Sequence, residues 1–124
     1  MPAHGTFVWF ELHTDDVAKA KNFYGKALGW TFSDMSMGGG PPYTLIHAGD
    51  AMIGGIVVGM APPGTPPHWF DYIEVDNVDE RAKAFEAGGG AILRPPFDIP
   101  DVGRIAIVAD SSGASMGIIT SARR

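Results

Sequence analysis

The sequence predicts an α+β fold in which two β-α-β-β-β units form a curved mixed sheet around a cleft, with the helices outside. Three observations support this prediction. Short segments rich in β-branched and aromatic residues alternate with glycine and proline clusters, which mark turns. Two other segments carry apolar residues at helical spacing. The order of elements in the first half of the chain is repeated in the second half.

The first unit is predicted over residues 6–58. Residues 7–13 (FVWFELH) are typical of a strand. Thr14-Asp15-Asp16 offers oxygens that cap a helix, and Gly29 can end that helix in a left-handed conformation. Asp15 and Asp16 are therefore better explained by capping than by catalysis. Further strands are expected at 30–33, 43–48 and 51–58, with a tight turn at Gly49-Asp50.

The second unit is predicted over residues 68–121, after a linker at 59–67. A strand at 69–75 precedes the capping pair Asp76-Asn77, and a helix follows that ends at 88–90. The last three strands are expected at 91–93, 104–109 and 115–120. Residues 14–17 match 75–78, 61 positions further on, and residues 51–56 match 114–119, 63 positions further on. Because a unit of ~60 residues with one helix buries little surface, the two units should form one domain over 1–124.

Composition excludes several function classes. The formal net charge of −5 argues against nucleic acid as a partner. The apolar stretches are too short to span a membrane, and the N-terminal residues do not have the pattern of a signal peptide. The chain has no cysteine, so disulfides and thiolate metal sites are absent. A cytoplasmic location is the expectation that fits these features.

Several motifs resemble those of a known superfamily. Residues 16–30 are similar to its first helix, which ends in a Phe-Tyr pair and then Leu-Gly, here Phe23-Tyr24 and Leu28-Gly29. Residues 75–78, followed by Gly88-Gly89, are similar to the start of its second unit, and 110–113 resemble the turn before its last strand. The chain thus resembles the vicinal oxygen chelate superfamily, which includes glyoxalase I, extradiol dioxygenases and the bleomycin-resistance proteins. The resemblance covers nearly the whole chain.

The resemblance implies where a metal would be bound. Metal enzymes of the superfamily carry one ligand on the first and last strand of each unit. These positions fall on residues without a metal-binding side chain: Trp9, Gly54, Phe70 and Gly117. Zinc, nickel, iron and manganese need imidazole or carboxylate donors. We therefore expect a member without the metal ligands, with no metal and no other cofactor.

Two aromatic rings facing two glycines would give the cleft a shape suited to a flat apolar ligand. The residues predicted to bind it share the cleft faces of the strands: Trp9, Glu11, His47, Gly54, Phe70, Tyr72 and Gly117. The alternative for the aromatic residues is that they fill the cleft as core. The loop from Pro95 to Gly103 is either a lid over the cleft or a rigid connector.

Glu11 is the candidate catalytic residue, because a carboxylate in the middle of a strand on the cleft face is costly unless it is paired. It could act as a general base or orient a ligand. The alternative is a glutamate at the sheet rim, solvated or paired with lysine or arginine. His13, at the end of the strand, is expected at the surface. A metal held by Glu11, His47 and His68 matches no pattern of the superfamily.

The favoured function is metal-independent binding of a small apolar or aromatic molecule, of the drug-sequestering or carrier type. A second hypothesis is a metal-free lyase, isomerase or hydroxylase-like enzyme that acts on a small carbonyl compound with Glu11 as base. A third is a metal-dependent glyoxalase-type enzyme whose ligands lie at other positions. The resemblance also implies a homodimer.

Overall fold

The computed structural model of the chain describes residues 3–36, 42–58, 63–99 and 102–122. The elements within these ranges follow the predicted order. In chain order they are β1 (Phe7–His13), α1 (Val17–Leu28), β2 (Thr31–Met35), β3 (Tyr43–Ala48), β4 (Ala51–Val57), β5 (His68–Glu74), α2 (Val78–Ala87), β6 (Ala91–Ile99), β7 (Gly103–Ala109) and β8 (Ser115–Ser121). The α+β class and the repeated β-α-β-β-β order are confirmed.

The chain divides into two compact units. The N-terminal unit is Trp9–Phe70, and the C-terminal unit comprises the described parts of Met1–Val8 and Asp71–Arg124. The boundaries therefore fall inside β1 and β5 and not in the predicted linker. Residues 59–62 of that linker lie outside the described residues.

In the N-terminal unit the strand order is β2-β3-β4-β1. β1 runs parallel to β4, whereas the β2–β3 and β3–β4 pairs are antiparallel. Helix α1 begins where the Asp16 side chain accepts a hydrogen bond from the backbone N–H of Lys19, and it ends at Gly29 with φ 73°. The helix covers an apolar core made of Leu12, Ala20, Ile46 and Ile56. Both predicted caps are confirmed.

In the C-terminal unit the strand order is β5-β8-β7-β6, with β5 parallel to β8 and the other pairs antiparallel. The side chain of Asn77 accepts from the N–H of Glu80 and begins α2. This helix covers a second core, which contains Val75, Val78, Ala82, Ala106, Val108 and Ile118. Each unit thus has its own apolar core between one helix and its strands.

The segment after α2 differs from the prediction. The sequence predicted a strand at 91–93 followed by a loop, but β6 continues to Ile99. Its register with β7 shifts at Arg94 and again before Phe97, so Pro95 and Pro96 lie where the ladder is interrupted. A proline has no N–H to donate and is tolerated at such a bulge. Residues 95–99 are therefore strand, and residues 100–101 lie outside the described residues.

Candidate functional site

One face of β1 carries three side chains with polar atoms. Trp9, Glu11 and His13 alternate along the strand, so they share a face. Phe10 and Leu12 point to the other face, where Leu12 contributes to the core under α1. We call the first the Glu11 face and the second the helix face of the N-terminal unit.

A chain of hydrogen bonds runs along the Glu11 face. The indole N–H of Trp9 donates to the hydroxyl oxygen of Tyr43 at 2.9 Å. That hydroxyl donates to Oε2 of Glu11 at 2.6 Å, and Nε2 of His13 lies 2.8 Å from Oε1 of Glu11. Glu11 is only 6% exposed, so its carboxylate is buried and held at both oxygens. A tyrosine and a histidine bind this carboxylate, and its burial differs from the solvated glutamate at the sheet rim that was the alternative.

Gly55 makes room for this arrangement. A Cβ atom at position 55 would overlap the hydroxyl and ring of Tyr43. Gly55 is the partner of Glu11 in the parallel β1–β4 pair, whereas Gly54 is the partner of Phe10. The prediction that Gly54 shares a face with Trp9 and Glu11 is therefore off by one residue, because paired residues on neighbouring strands point to the same side.

His13 is buried, contrary to the expectation that it lies at the surface. It is 6% exposed, and its ring contacts His68 and Phe70, each with ring centroids 4.9 Å from its own. Nδ1 of His13 is buried and has no hydrogen-bond partner among the described residues. Nδ1 of His68 lies 2.8 Å from the carbonyl oxygen of Pro66. The end of β1 thus brings two imidazole rings together.

The helix face carries an apolar pocket of about 360 Å³. It is lined by Phe10, Trp30, Ile46, Ile53, Gly54 and Trp69. A Cβ atom at position 54 would overlap the carbonyl oxygen of Phe10, so only glycine fits there. Gly54 is thus the one predicted ligand-binding residue that lines this pocket, while Trp9 and Glu11 lie on the opposite face of β1.

An aromatic cluster supports one side of the pocket. Trp30 stacks on Tyr24 with a centroid distance of 5.4 Å and meets Trp69 edge to face at 5.9 Å. The indole N–H of Trp69 donates to the hydroxyl of Tyr24 at 3.3 Å. Trp69 remains 43% exposed and Phe10 49% exposed, so large apolar side chains of this pocket are open to solvent.

The other predicted site residues lie elsewhere. Nε2 of His47 is 2.8 Å from the hydroxyl of Ser33, so this histidine is bonded across β2 and β3 and not to Glu11. In the C-terminal unit, a Cβ atom at Gly117 would overlap the ring of Tyr72, and Tyr72 pairs with Gly117 between β5 and β8. Gly117 therefore corresponds to Gly55, not Gly54, in its packing against an aromatic ring.

The positions assigned to metal ligands do not fit a cation. The one polar atom of the Trp9 side chain is used by Tyr43, and Phe70 has none. Gly54, its corrected counterpart Gly55 and Gly117 have no side chain to offer. Over the ranges that the structure describes, no three histidine, aspartate or glutamate side chains come together in a group that could hold a metal.

The residues that the sequence interpretation missed are Tyr43, Gly55, His13, Trp30 and Trp69. A weak signal existed for His13, since alternation places it on the same face as Glu11. The Gly54-Gly55 pair signalled close packing but not which partner each glycine would meet. Nothing local predicts that Tyr43, 32 residues from Glu11, donates to it.

Neither helix in the described part of the chain is long and apolar enough to cross a membrane.

Comparison with known proteins places the fold in context. The chain is 41% identical over 120 residues to the "Putative glyoxylase CFP32" of Mycobacterium bovis. The matched region is 95% of this chain and 45% of that protein. It is 29% identical over 129 residues to the "Anthracycline biosynthesis protein DnrV" of Streptomyces peucetius, over 94% of this chain and 47% of that protein. The chain therefore spans about half the length of the curated relatives it matches.

A solved structure of methylmalonyl-CoA epimerase from Mycobacterium tuberculosis superposes with a TM-score of 0.67 and 13% identity, covering 95% of this chain and 88% of that chain. At this identity the likeness concerns the fold alone. Residues 6–116 match the model of the Glyoxalase/Bleomycin resistance protein/Dioxygenase superfamily. Because this match extends over most of the chain and agrees with the strand and helix order, the protein belongs to that superfamily.

Proposed function

We propose that this protein binds a small, flat, apolar or aromatic molecule without a metal, in the pocket on the helix face of the N-terminal unit. The observation that carries the proposal is the pocket of about 360 Å³ lined by three aromatic rings, two isoleucines and Gly54. Ligand pockets commonly measure ~300–1,000 Å³ and are mostly apolar. The aromatic side chains of the lining favour a flat aromatic ligand, because aromatic rings pack well against one another.

The aromatic lining supports this proposal energetically. Trp30 and Trp69 meet edge to face beside Tyr24, so the pocket lies against a packed aromatic cluster that a further aromatic ring could join. Covering the exposed parts of Trp69 and Phe10 would remove apolar surface from water, which favours binding by ~25 cal/mol per Å². The relative named for anthracycline biosynthesis agrees with an aromatic ligand class.

The test is titration with N-phenyl-1-naphthylamine, an uncharged aromatic fluorophore. We expect saturable binding that quenches tryptophan fluorescence and raises the melting temperature. Trp69→Ala should weaken binding about tenfold or more, because it removes one wall of the pocket.

Leu93→Ala serves as the matched control for Trp69→Ala, since Leu93 is also an exposed large apolar residue but lies on β6. The control should bind as the unchanged protein does. Equal affinity in all three proteins, or the absence of saturable binding, would contradict the proposal.

A second candidate function has its own supporting observation. Glu11 is buried and hydrogen-bonded by Tyr43 and His13, an arrangement that could support acid–base chemistry on a small carbonyl compound. A metal-free enzyme of this kind should lose turnover in Glu11→Gln while its circular dichroism spectrum stays unchanged. Turnover that persists in this variant would remove Glu11 from the role of base.

A further inference from the structure

Tyr24 lies beside the apolar pocket without being part of its lining. It stands near the end of α1, and Gly29 then turns the chain with φ 73°, which brings Trp30 back onto the Tyr24 ring. Trp69 on β5 meets the same ring edge to face, with 5.6 Å between the centroids. Both tryptophans line the pocket, so the Tyr24 side chain is packed against two of its walls.

The hydrogen bond between Tyr24 and Trp69 has a fixed direction. An indole N–H can only donate, so the oxygen of Tyr24 accepts from Trp69 at 3.3 Å. The hydroxyl hydrogen of Tyr24 takes no part in this bond and remains able to donate. The bond lies at the surface of the protein, where a molecule that packs against Trp69 can reach the hydroxyl.

The polar groups of the pocket side chains are all donors. Apart from its two tryptophans, the lining consists of phenylalanine, isoleucine and glycine, whose side chains carry no polar atom. An indole ring offers one N–H and no acceptor, and the N–H of Trp69 is already engaged by Tyr24. A ligand that carries an acceptor at the edge of its ring therefore matches this end of the pocket better than one that carries a donor.

We propose that Tyr24 determines the specificity of the pocket by donating a hydrogen bond from its hydroxyl to the carbonyl oxygen of an aromatic ketone. This role rests on the proposed binding function and names the ligand class for it. A conjugated carbonyl lies in the plane of its ring, and its oxygen projects from the ring edge. A ring packed against Trp69 can thus present the oxygen to Tyr24 while its apolar part stays in the pocket.

The Tyr24 ring is held in place before a ligand arrives. It stacks on Trp30 with a centroid distance of 5.4 Å and packs against the apolar core under α1. Little side-chain freedom is therefore lost when the hydroxyl donates to a ligand. Because the hydroxyl exchanges water for the ligand oxygen, the expected gain in affinity is that of one neutral hydrogen bond.

Two ligands of nearly the same shape isolate this hydrogen bond. They are 2-acetylnaphthalene and 2-isopropenylnaphthalene, in which a CH₂ group replaces the carbonyl oxygen. Each is titrated as a competitor of N-phenyl-1-naphthylamine, so that both are measured in the same pocket. The quantity compared between proteins is the ratio of the two dissociation constants, because this ratio cancels the different transfer of the two compounds from water.

Tyr24→Phe removes the hydroxyl and keeps the ring. We expect it to weaken binding of the ketone about three- to tenfold and to leave binding of the hydrocarbon within about twofold. Ser33→Ala is the matched control, since it removes an exposed hydroxyl of the same unit. Ser33 lies on the Glu11 face, because it pairs with Leu45, which pairs with Gly55, the partner of Glu11. The control should leave the ratio unchanged.

The outcomes separate the role of Tyr24 from the binding function. If the fluorophore and both naphthalenes bind but the ratio is the same in Tyr24→Phe as in the unchanged protein, the role of Tyr24 is overturned and the binding function stands. If the fluorophore does not bind the unchanged protein, the binding function is contradicted and the role of Tyr24 fails with it.

Infrared spectroscopy of the bound ketone tests the hydrogen bond without a variant. The carbonyl stretching band of an aryl ketone moves to lower wavenumber when its oxygen accepts a hydrogen bond. We expect this shift for 2-acetylnaphthalene bound to the unchanged protein, relative to the compound in a hydrocarbon solvent. A band at the position found in the hydrocarbon solvent would refute the donation by Tyr24.

Discussion

At the scale of single residues, Gly55 and Tyr43 decide the geometry around Glu11. The Tyr43 hydroxyl occupies the space that a side chain at position 55 would need, and from there it reaches the Glu11 carboxylate. The absence of one carbon atom on β4 therefore allows a buried carboxylate on β1 to be satisfied. The requirement for glycine comes here from packing, and not from an unusual backbone angle.

Gly55→Ala should destabilise the protein by about 1–3 kcal/mol, because the new methyl group must displace Tyr43. Gly25→Ala is the matched control within α1. A Cβ atom there would lie 3.7 Å from the Trp30 carbonyl oxygen and 3.8 Å from the Phe32 ring, which are ordinary contacts. In a helix interior this change should stabilise by about 0.5–1 kcal/mol. Urea denaturation measures the free energy of unfolding of both variants. A change of the same sign in the two variants would contradict the packing argument.

Ser121→Ala should also destabilise the protein. Glu74 is fully buried, and both the hydroxyl and the backbone N–H of Ser121 donate to its carboxylate. Loss of a hydrogen bond to a charged group should lower the free energy of unfolding by about 1.5–3 kcal/mol. Ser111→Ala, in the exposed turn before β8, should change it little. Equal effects would mean that the Glu74 contact contributes nothing.

At the scale of elements, both helices begin as the sequence predicted because their caps are local. Asn77→Ala removes the acceptor for the N–H of Glu80 and should destabilise α2 by about 1 kcal/mol. Asn77→Asp keeps the acceptor and adds a negative charge at the helix N-terminus, so it should preserve stability. Thermal unfolding measures both variants, and similar losses in the two would contradict the capping role.

An ion pair at the start of α2 makes the stability of the folded protein depend on pH. The Arg81 guanidinium, hydrogen-bonded to Asp76 at 2.8 and 2.9 Å, lowers the pKa of that carboxyl from 3.8 to about 2. A carboxyl whose pKa is depressed in the folded state stabilises that state above its ordinary pKa, and the contribution is lost as the pH falls through the lowered value. The stability difference between the unchanged protein and Asp76→Asn should therefore vanish between about pH 4 and pH 2. The midpoints of urea unfolding of the two proteins across this pH range test the prediction. A stability difference that does not change with pH would exclude the ion pair as the source of that difference.

At the scale of the whole molecule, two compact units each enclose their own core, and β1 and β5 contribute residues to both units. We expect the chain to form a homodimer, as the resemblance to the superfamily implies. Helix α1 leaves Phe23 and Leu28 exposed, apolar side chains that an association could cover. Light scattering should give about twice the mass of one chain, and a monomer at high concentration would contradict this.

The sequence by itself determined the element order, the repeated unit and the helix caps, because these depend on spacing and on contacts between residues close in the chain. That the metal-binding positions of the superfamily lack donors here stays a prediction from the resemblance. The sequence did not predict that β6 continues to Ile99. Two prolines usually mark a loop, and here only pairing with β7 keeps them in a strand.

Only the tertiary structure decided which side chains meet. The β1–β4 register places Gly55, and not Gly54, beside Glu11, and a shift of one residue moves a side chain to the other face of a sheet. The bond from Trp9 to Tyr43 joins residues 34 positions apart. Such contacts arise when strands distant in the chain pair, and no local pattern of residues contains that information.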